Sequence, residues 1–134
     1  MSFSFSKSLV LICLLGLCLQ NTASSQAQKS GKKALLIGIG HYPAEGGWAT
    51  INSSNDLGLL KESLQAQGFN KENILELAES NATKVNILKT IKVDFTSKLN
   101  KGDIAYFHFS GHGQQMQDKN GDEVDGLDEC IVPY

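Results

Sequence analysis

One histidine and one group of carboxylates hold most of the chemistry this 134-residue sequence could perform. His112 stands in the tetrapeptide Ser110-Gly111-His112-Gly113, directly after the apolar run Ile104–Phe109. An imidazole titrates near neutrality, so it suits general acid–base work. Flanking glycines let a substrate approach the backbone and leave amide N–H groups free for an oxyanion. A plain turn would use the same four residues. His108 reads as a histidine packed or hydrogen-bonded within the preceding strand, and His41 as a loop residue. The carboxylates are Asp118, Asp122, Glu123, Asp125, Asp128 and Glu129, with Lys119 alone to offset them. Such crowding is costly unless water or a cation neutralises it, and oxygen donors favour calcium. Asp118, Asn120, Asp122 and Glu129 approach the ligand spacing of an EF-hand loop. However, Glu123 stands where that loop needs glycine, and no strongly periodic helix precedes it. A different cation site and a solvated acidic loop both stay open.

These residues need elements to position them. Lys32–Ile39 (KKALLIGI) is a short apolar run of the kind buried on both faces of a parallel sheet. Gly40–Thr50 contains Pro43, Gly46 and Gly47 and reads as a loop. Leu57, Leu60 and Leu64 then mark one face of a helix, capped near Asn55 and ended by Gly68. Asn73–Ala78 is a second strand. Thr83 caps a second helix, whose inward stripe is Ile87, Leu88, Ile91, Phe95 and Leu99. Asp103–Ser110 is the clearest strand, Ser110–Asp128 reads as a long loop, and Glu129–Val132 as a fourth short strand. Strands separated by helices imply βαβ units and a parallel sheet, in which ligands gather at the carboxyl ends of the strands. That rule puts Gly38–Tyr42 and Ser110–Gly113 at one edge. A chain that stops just after a strand is expected to be a fragment of a larger α/β domain.

Composition narrows the partners. Lysine supplies all 12 basic residues against 14 acids, for a net charge of −2. A mildly acidic chain without arginine is a poor match for nucleic acid. Residues 1–25 read as a cleaved signal peptide: Lys7, then the apolar core Leu9–Leu19, then the small residues Ala23 and Ser25. A second small pair, Ser25 and Ala27, allows cleavage before Gln28. The core is too short to span a bilayer, which takes about 20 residues. The expected product is exported, periplasmic or secreted, with no membrane attachment after cleavage. Residues 26–31 form a short linker and residues 32–134 the domain. Of the three cysteines, Cys13 and Cys18 leave with the signal, so Cys130 remains alone and can form no internal disulfide.

KKALLIGIGHY, the Asn-Asp pair of SSNDLGLLKESLQAQGF, YFHFSGHGQQ and DGLDECIVPY follow one another in this order. Together they resemble the caspase-fold cysteine peptidases, specifically the metacaspase-like bacterial branch, over Lys32–Tyr134. The resemblance implies an α/β fold, a caspase-like parallel-sheet sandwich with helices on both faces, incomplete at its carboxyl end. It also implies endopeptidase activity by a Cys–His dyad. His112 matches the family's histidine, and Gly113 its oxyanion-binding glycine. Ser110 and Gly111 line the same edge as substrate-binding positions. Asp56 matches the acid of the pocket that selects lysine or arginine before the scissile bond. Many metacaspases need calcium, and Asp128 matches one of its ligands. Ser53 departs from the cysteine that many members carry there. The family's nucleophile belongs to a later motif, and Cys130, in a run expected to be buried, is a poor substitute. The alternative reading is a non-enzymatic calcium-binding or interaction module on the same fold. A weaker one makes Ser110 the nucleophile of a serine hydrolase, but His108 and His112 occupy the positions of that family's glycines.

Overall fold

A computed structural model describes residues 31–134; the signal-peptide and cleavage expectations lie outside them. Strand β1 (Lys32–Gly38) is the centre of a parallel sheet ordered β2-β1-β3, where β2 is Ile74–Ala78 and β3 is Ile104–Ser110. The central place suits β1 because its side chains are apolar in both directions. Ala34 and Leu36 face helix α1 (Asp56–Ala66), and Leu35 and Ile37 face helix α2 (Lys84–Lys89). Leu35, Leu36, Ile37 and Ile39 are fully buried, each contributing about 1.5–3 kcal/mol by burial. The result is a helix, sheet, helix sandwich, as the βαβ pattern requires.

Local signals set the helix ends. Gly68 takes a left-handed φ of 85°. There the Phe69 and Gly68 N–H groups donate to the Leu64 and Gln65 carbonyls at 3.0 and 2.9 Å. This closes α1 with a Schellman motif, and Phe69 packs in the same apolar cluster as Leu64. Thr83 caps α2, its hydroxyl accepting from the Asn86 N–H at 3.2 Å. At the start of α1, by contrast, Asn55 makes no side-chain cap. A 3-10 turn over Ser53–Asn55 leads the chain in, and Asp56 supplies a carboxylate at the positive end of the helix.

Three expectations need correction. Leu88 is 57% exposed: α2 continues as a wider π turn over Thr90–Phe95, so Ile87 and Phe95 are buried while Leu88 rotates off the sheet. Ser110–Asp128 is not one loop. Gly113–Gln117 forms β4, which pairs antiparallel with β5 (Leu127–Ile131) as a separate two-stranded sheet. The alternation that marks a strand is hidden in the polar sequence GQQMQ, which lies on the surface. The terminal strand therefore belongs to this hairpin and not to the parallel sheet. The acidic segment is the tip of a strand-loop-strand unit and not an EF-hand, as Glu123 in the glycine position argued.

Candidate active site

The carboxyl ends of β1 and β3 meet as the strand rule anticipates, with Ile39 N–H donating to the Ser110 carbonyl at 2.9 Å. After β1 the chain rises into a strap, Gly40–Asn55, which returns to α1. Ile51 N–H donates to the Gly40 carbonyl at 2.9 Å, closing the strap at its base. His112 lies against this strap. Its Nε2 is 2.7 Å from the Ala49 carbonyl, and a carbonyl can only accept. The imidazole therefore carries its hydrogen on Nε2, and Nδ1 is the acceptor in the neutral ring. The ring is flanked by Trp48 (centroids 5.1 Å apart) and Tyr42 (5.2 Å), at separations favourable for aromatic contact. Ala49 and Trp48 carried no motif signal in the sequence, and Tyr42 stood at the end of KKALLIGIGHY with no role assigned to it. What they share is the strap, and only the fold brings the strap to β3.

Tyr42 also governs the backbone around the histidine. Val132 N–H donates to the His112 carbonyl at 2.9 Å. The reciprocal bond is not made directly: His112 N–H donates to the Tyr42 hydroxyl, which donates to the Val132 carbonyl, both at 3.0 Å. A hydroxyl is thus inserted at the first rung of the β4–β5 ladder. Burial pushes the Tyr42 phenol up, the His112 N–H acts against this, and the Glu79 charge adds to the rise. Because hydrogen-bonded and non-bonded pairs alternate, the next pair, Gly113 with Ile131, is non-bonded. The Gly113 N–H therefore points away from β5, toward the outside of the hairpin. Gly111 has a different reason to be glycine. A Cβ there would stand 2.7 Å from the Tyr42 hydroxyl and 2.8 Å from the Phe109 ring. The space a side chain would take there is occupied by these two side chains. Ser110 ends β3, half-buried.

The other candidates are scattered more widely. Asp56 is exposed in the first turn of α1, two residues beyond Ser54 at the far root of the strap. His108 shares a pairing register with Leu36, and its Nε2 is buried without a hydrogen-bond partner among the described residues; of the two expectations, packing or hydrogen bonding, it shows the first. His41 is exposed, its Nδ1 3.4 Å from Glu79. Cys130 is half-buried, against the expectation of burial. It lines a groove between α2 and the hairpin together with Lys84, Leu88 and Met116.

At the hairpin tip Asp118, Asp122 and Asp128 converge, each offering a carboxylate oxygen within 4.8 Å of the others. Glu129, the twelfth position of the EF-hand alignment, instead accepts from Gln115 Nε2 at 3.2 Å. Asp118 organises the loop: its carboxylate accepts from the N–H groups of Asn120 and Gly121 at 2.8 Å and of Glu123 at 3.2 Å. The Gly121 and Asn120 N–H groups hold its pKa below the ordinary aspartate range, against a smaller desolvation cost.

With this geometry in place, the chain can be compared with known proteins. The family profile for the metacaspase, peptidase C14 domain, matches residues 32–134. This chain belongs to the metacaspase family. Among curated metacaspases, Metacaspase-6 of Arabidopsis thaliana is 36% identical over 110 residues, covering 76% of this chain and 29% of that protein. Metacaspase-1A of Aspergillus oryzae is 36% identical over 109 residues, covering 76% and 25%. The crystal structure of a Geobacter sulfurreducens protein superposes with a TM-score of 0.63 at 30% identity, covering 78% of this chain and 39% of that one. The metacaspase chain described here thus spans about a quarter to three-tenths of the length of these curated relatives. Its three-layer architecture is the caspase-like sandwich that the four sequence motifs implied.

Proposed function

We propose that this metacaspase chain is the histidine-bearing part of a cysteine endopeptidase that cuts peptide or protein substrates after lysine or arginine. The observation that carries the reading is the 2.7 Å contact from His112 Nε2 to the Ala49 carbonyl. It leaves Nδ1 as the acceptor that a Cys–His dyad needs. In the reaction a cysteine thiol, supplied from outside these 134 residues, gives its proton to Nδ1. The thiolate attacks the scissile carbonyl. The protonated imidazole then donates to the leaving amine as the C–N bond breaks, and water later releases the acyl group from sulfur. The outward Gly113 N–H supports an oxyanion-binding role, because such donors act where charge develops. Asp56, exposed beyond the strap, is the carboxylate for a basic side chain.

Cys130 is not the nucleophile in this reading. Its groove is lined by α2 and the hairpin, whereas the His112 ring is bounded by Trp48, Tyr42 and Ala49. Calcium fits the hairpin tip on donor chemistry. Asp118, Asp122 and Asp128 offer hard oxygen ligands at mutual distances a single cation can bridge. Such an ion would offset part of the tip's negative charge and fix the course of β5 toward Val132, without joining the proton transfers. The signal-like segment 1–25 supports export, which N-terminal sequencing of the secreted protein tests.

The purified 134-residue chain, assayed on lysine- and arginine-ended fluorogenic peptides with calcium, is expected to show no turnover. Turnover that disappears in Cys130→Ala would overturn this division of labour. A longer natural protein that carries the downstream thiol yet cleaves nothing would favour a non-enzymatic calcium module instead.

A further inference from the structure

Glu79 has no part in the reaction just proposed, yet it holds an unusual position. It is the one non-glycine residue with positive φ among the described residues, at 48°. Such strain persists only where the surroundings over-determine it. Its carboxylate supplies the surroundings. It accepts from the Gly40 N–H at 3.2 and 3.3 Å and from the His41 N–H at 2.9 Å, at the first root of the strap. The His41 ring lies beside it, with Nδ1 3.4 Å from Oε1. Gly40 is the point where these groups converge. A Cβ there would stand 2.5 Å from the Ile51 carbonyl, 3.1 Å from Ser54 Oγ and 3.3 Å from Glu79 Oε1. One carboxylate at the end of β2 thus holds the end of β1 at the root where the Ile51 N–H closes the strap on the Gly40 carbonyl. Tyr42, Trp48 and the Ala49 carbonyl, which bound the His112 ring, lie between that root and Ile51.

We propose that Glu79 is a positioning residue of this site: its carboxylate clasps the root of the Gly40–Asn55 strap at Gly40 and His41 and so holds the carbonyl and the rings that orient His112. The assignment of His112 as the catalytic base rests on the function proposed above; the clasp itself does not. Burial works against the charged form of Glu79. Hydrogen bonding from His41 and Gly40, with the Ser54 hydroxyl nearby, outweighs it and holds the pKa below the ordinary glutamate range. The clasp is therefore complete above that range and is lost as pH falls through the lowered value. The titratable groups facing it are His41, beside it at 3.4 Å, and Tyr42, which senses its charge. Tyr42 stays neutral in acid. A His41→Gln control removes the other contribution.

The chain contains one tryptophan, Trp48, within the strap, so strap order can be read directly. Acrylamide quenching of Trp48 reports strap exposure, and long-range ¹⁵N–¹H NMR of the His112 ring reports which nitrogen carries hydrogen. In Glu79→Gln and Glu79→Ala, quenching is expected to rise severalfold and His112 to lose its single Nε2–H form. Far-UV circular dichroism is expected to stay unchanged. Gly40→Ala should give the same signature by forcing the roots apart. The wild-type chain should reproduce it reversibly on acidification, while Glu79→Gln stays flat over that pH range. Unchanged Trp48 quenching and an unchanged His112 tautomer in Glu79→Ala would overturn the proposal. So would a wild-type acid transition in which the strap signals move only together with global unfolding. In a turnover-competent longer protein, Glu79→Gln should lower kcat by up to about 10²-fold and leave KM nearly unchanged. If no such protein turns over, the peptidase reading fails while the strap measurements still decide the clasp.

Discussion

The rim around His112 and the tip of the β4–β5 hairpin lie on one continuous stretch of chain, yet they are built on opposite principles. At the rim almost every polar group has a specific partner. The imidazole has a carbonyl, the His112 backbone N–H has a phenol, and the Glu79 carboxylate at the strap root has two backbone N–H groups. At the tip three aspartates share one small volume, and only Asp118 is satisfied by the loop itself. The rim is preorganised by the protein. The tip is left with repulsion that water or a cation has to relieve. A group that must present one nitrogen in one direction needs the first kind of environment, and a switchable ion site needs the second.

The largest effect should come from the rim. His112→Ala in a turnover-competent longer protein is expected to lower kcat by about 10²–10⁴-fold, with the fold retained by circular dichroism. A loss below tenfold would mean that the preorganised ring serves structure and not chemistry. Gly111→Ala tests whether the rim depends on close packing. The added methyl meets the Tyr42 hydroxyl and the Phe109 ring, so thermal denaturation should show a loss of about 1–3 kcal/mol. Stability unchanged from wild type would show that Tyr42 is free to move aside.

The tip should respond to ions where the rim does not. Calcium is expected to raise the melting temperature of the chain, contributing about 1.4 kcal/mol at tenfold excess over its dissociation constant. Asp128→Asn should abolish that gain. An equal response in Asp128→Asn, or none in wild type, would reduce the tip to a solvated loop. The smallest effect belongs to Asp118. Its pKa is held down in the folded chain, so its contribution is present above the ordinary aspartate range and fades as pH falls through the lowered value. Without calcium, the acid limb of a stability–pH curve should be slightly flatter in Asp118→Asn. A steeper limb would reverse the assigned sign.

Much of the frame was legible before any coordinates. The ALLI run in β1 is apolar in both directions, which is enough to place it at the centre of a sheet covered on both faces. Leu57, Leu60 and Leu64 carry the period of a helix, and Gly68 its stop. β4 was not legible, because a strand on the surface has no buried face to impose alternation. Leu88 was misplaced because a π turn shifts the helical phase, and no residue type announces that shift.

The sequence by itself determined which residues have the chemistry: an imidazole between glycines after an apolar strand, and oxygen ligands in a short turn-rich segment. Residue type and near-neighbour spacing are local properties, and these choices depend on nothing more. Only the tertiary structure decided what orients that imidazole. The Ala49 carbonyl, the Tyr42 hydroxyl and the Trp48 ring lie more than sixty positions away along the chain. They reach His112 because β1 and β3 pair side by side in parallel, which delivers the strap after one strand onto the loop after the other.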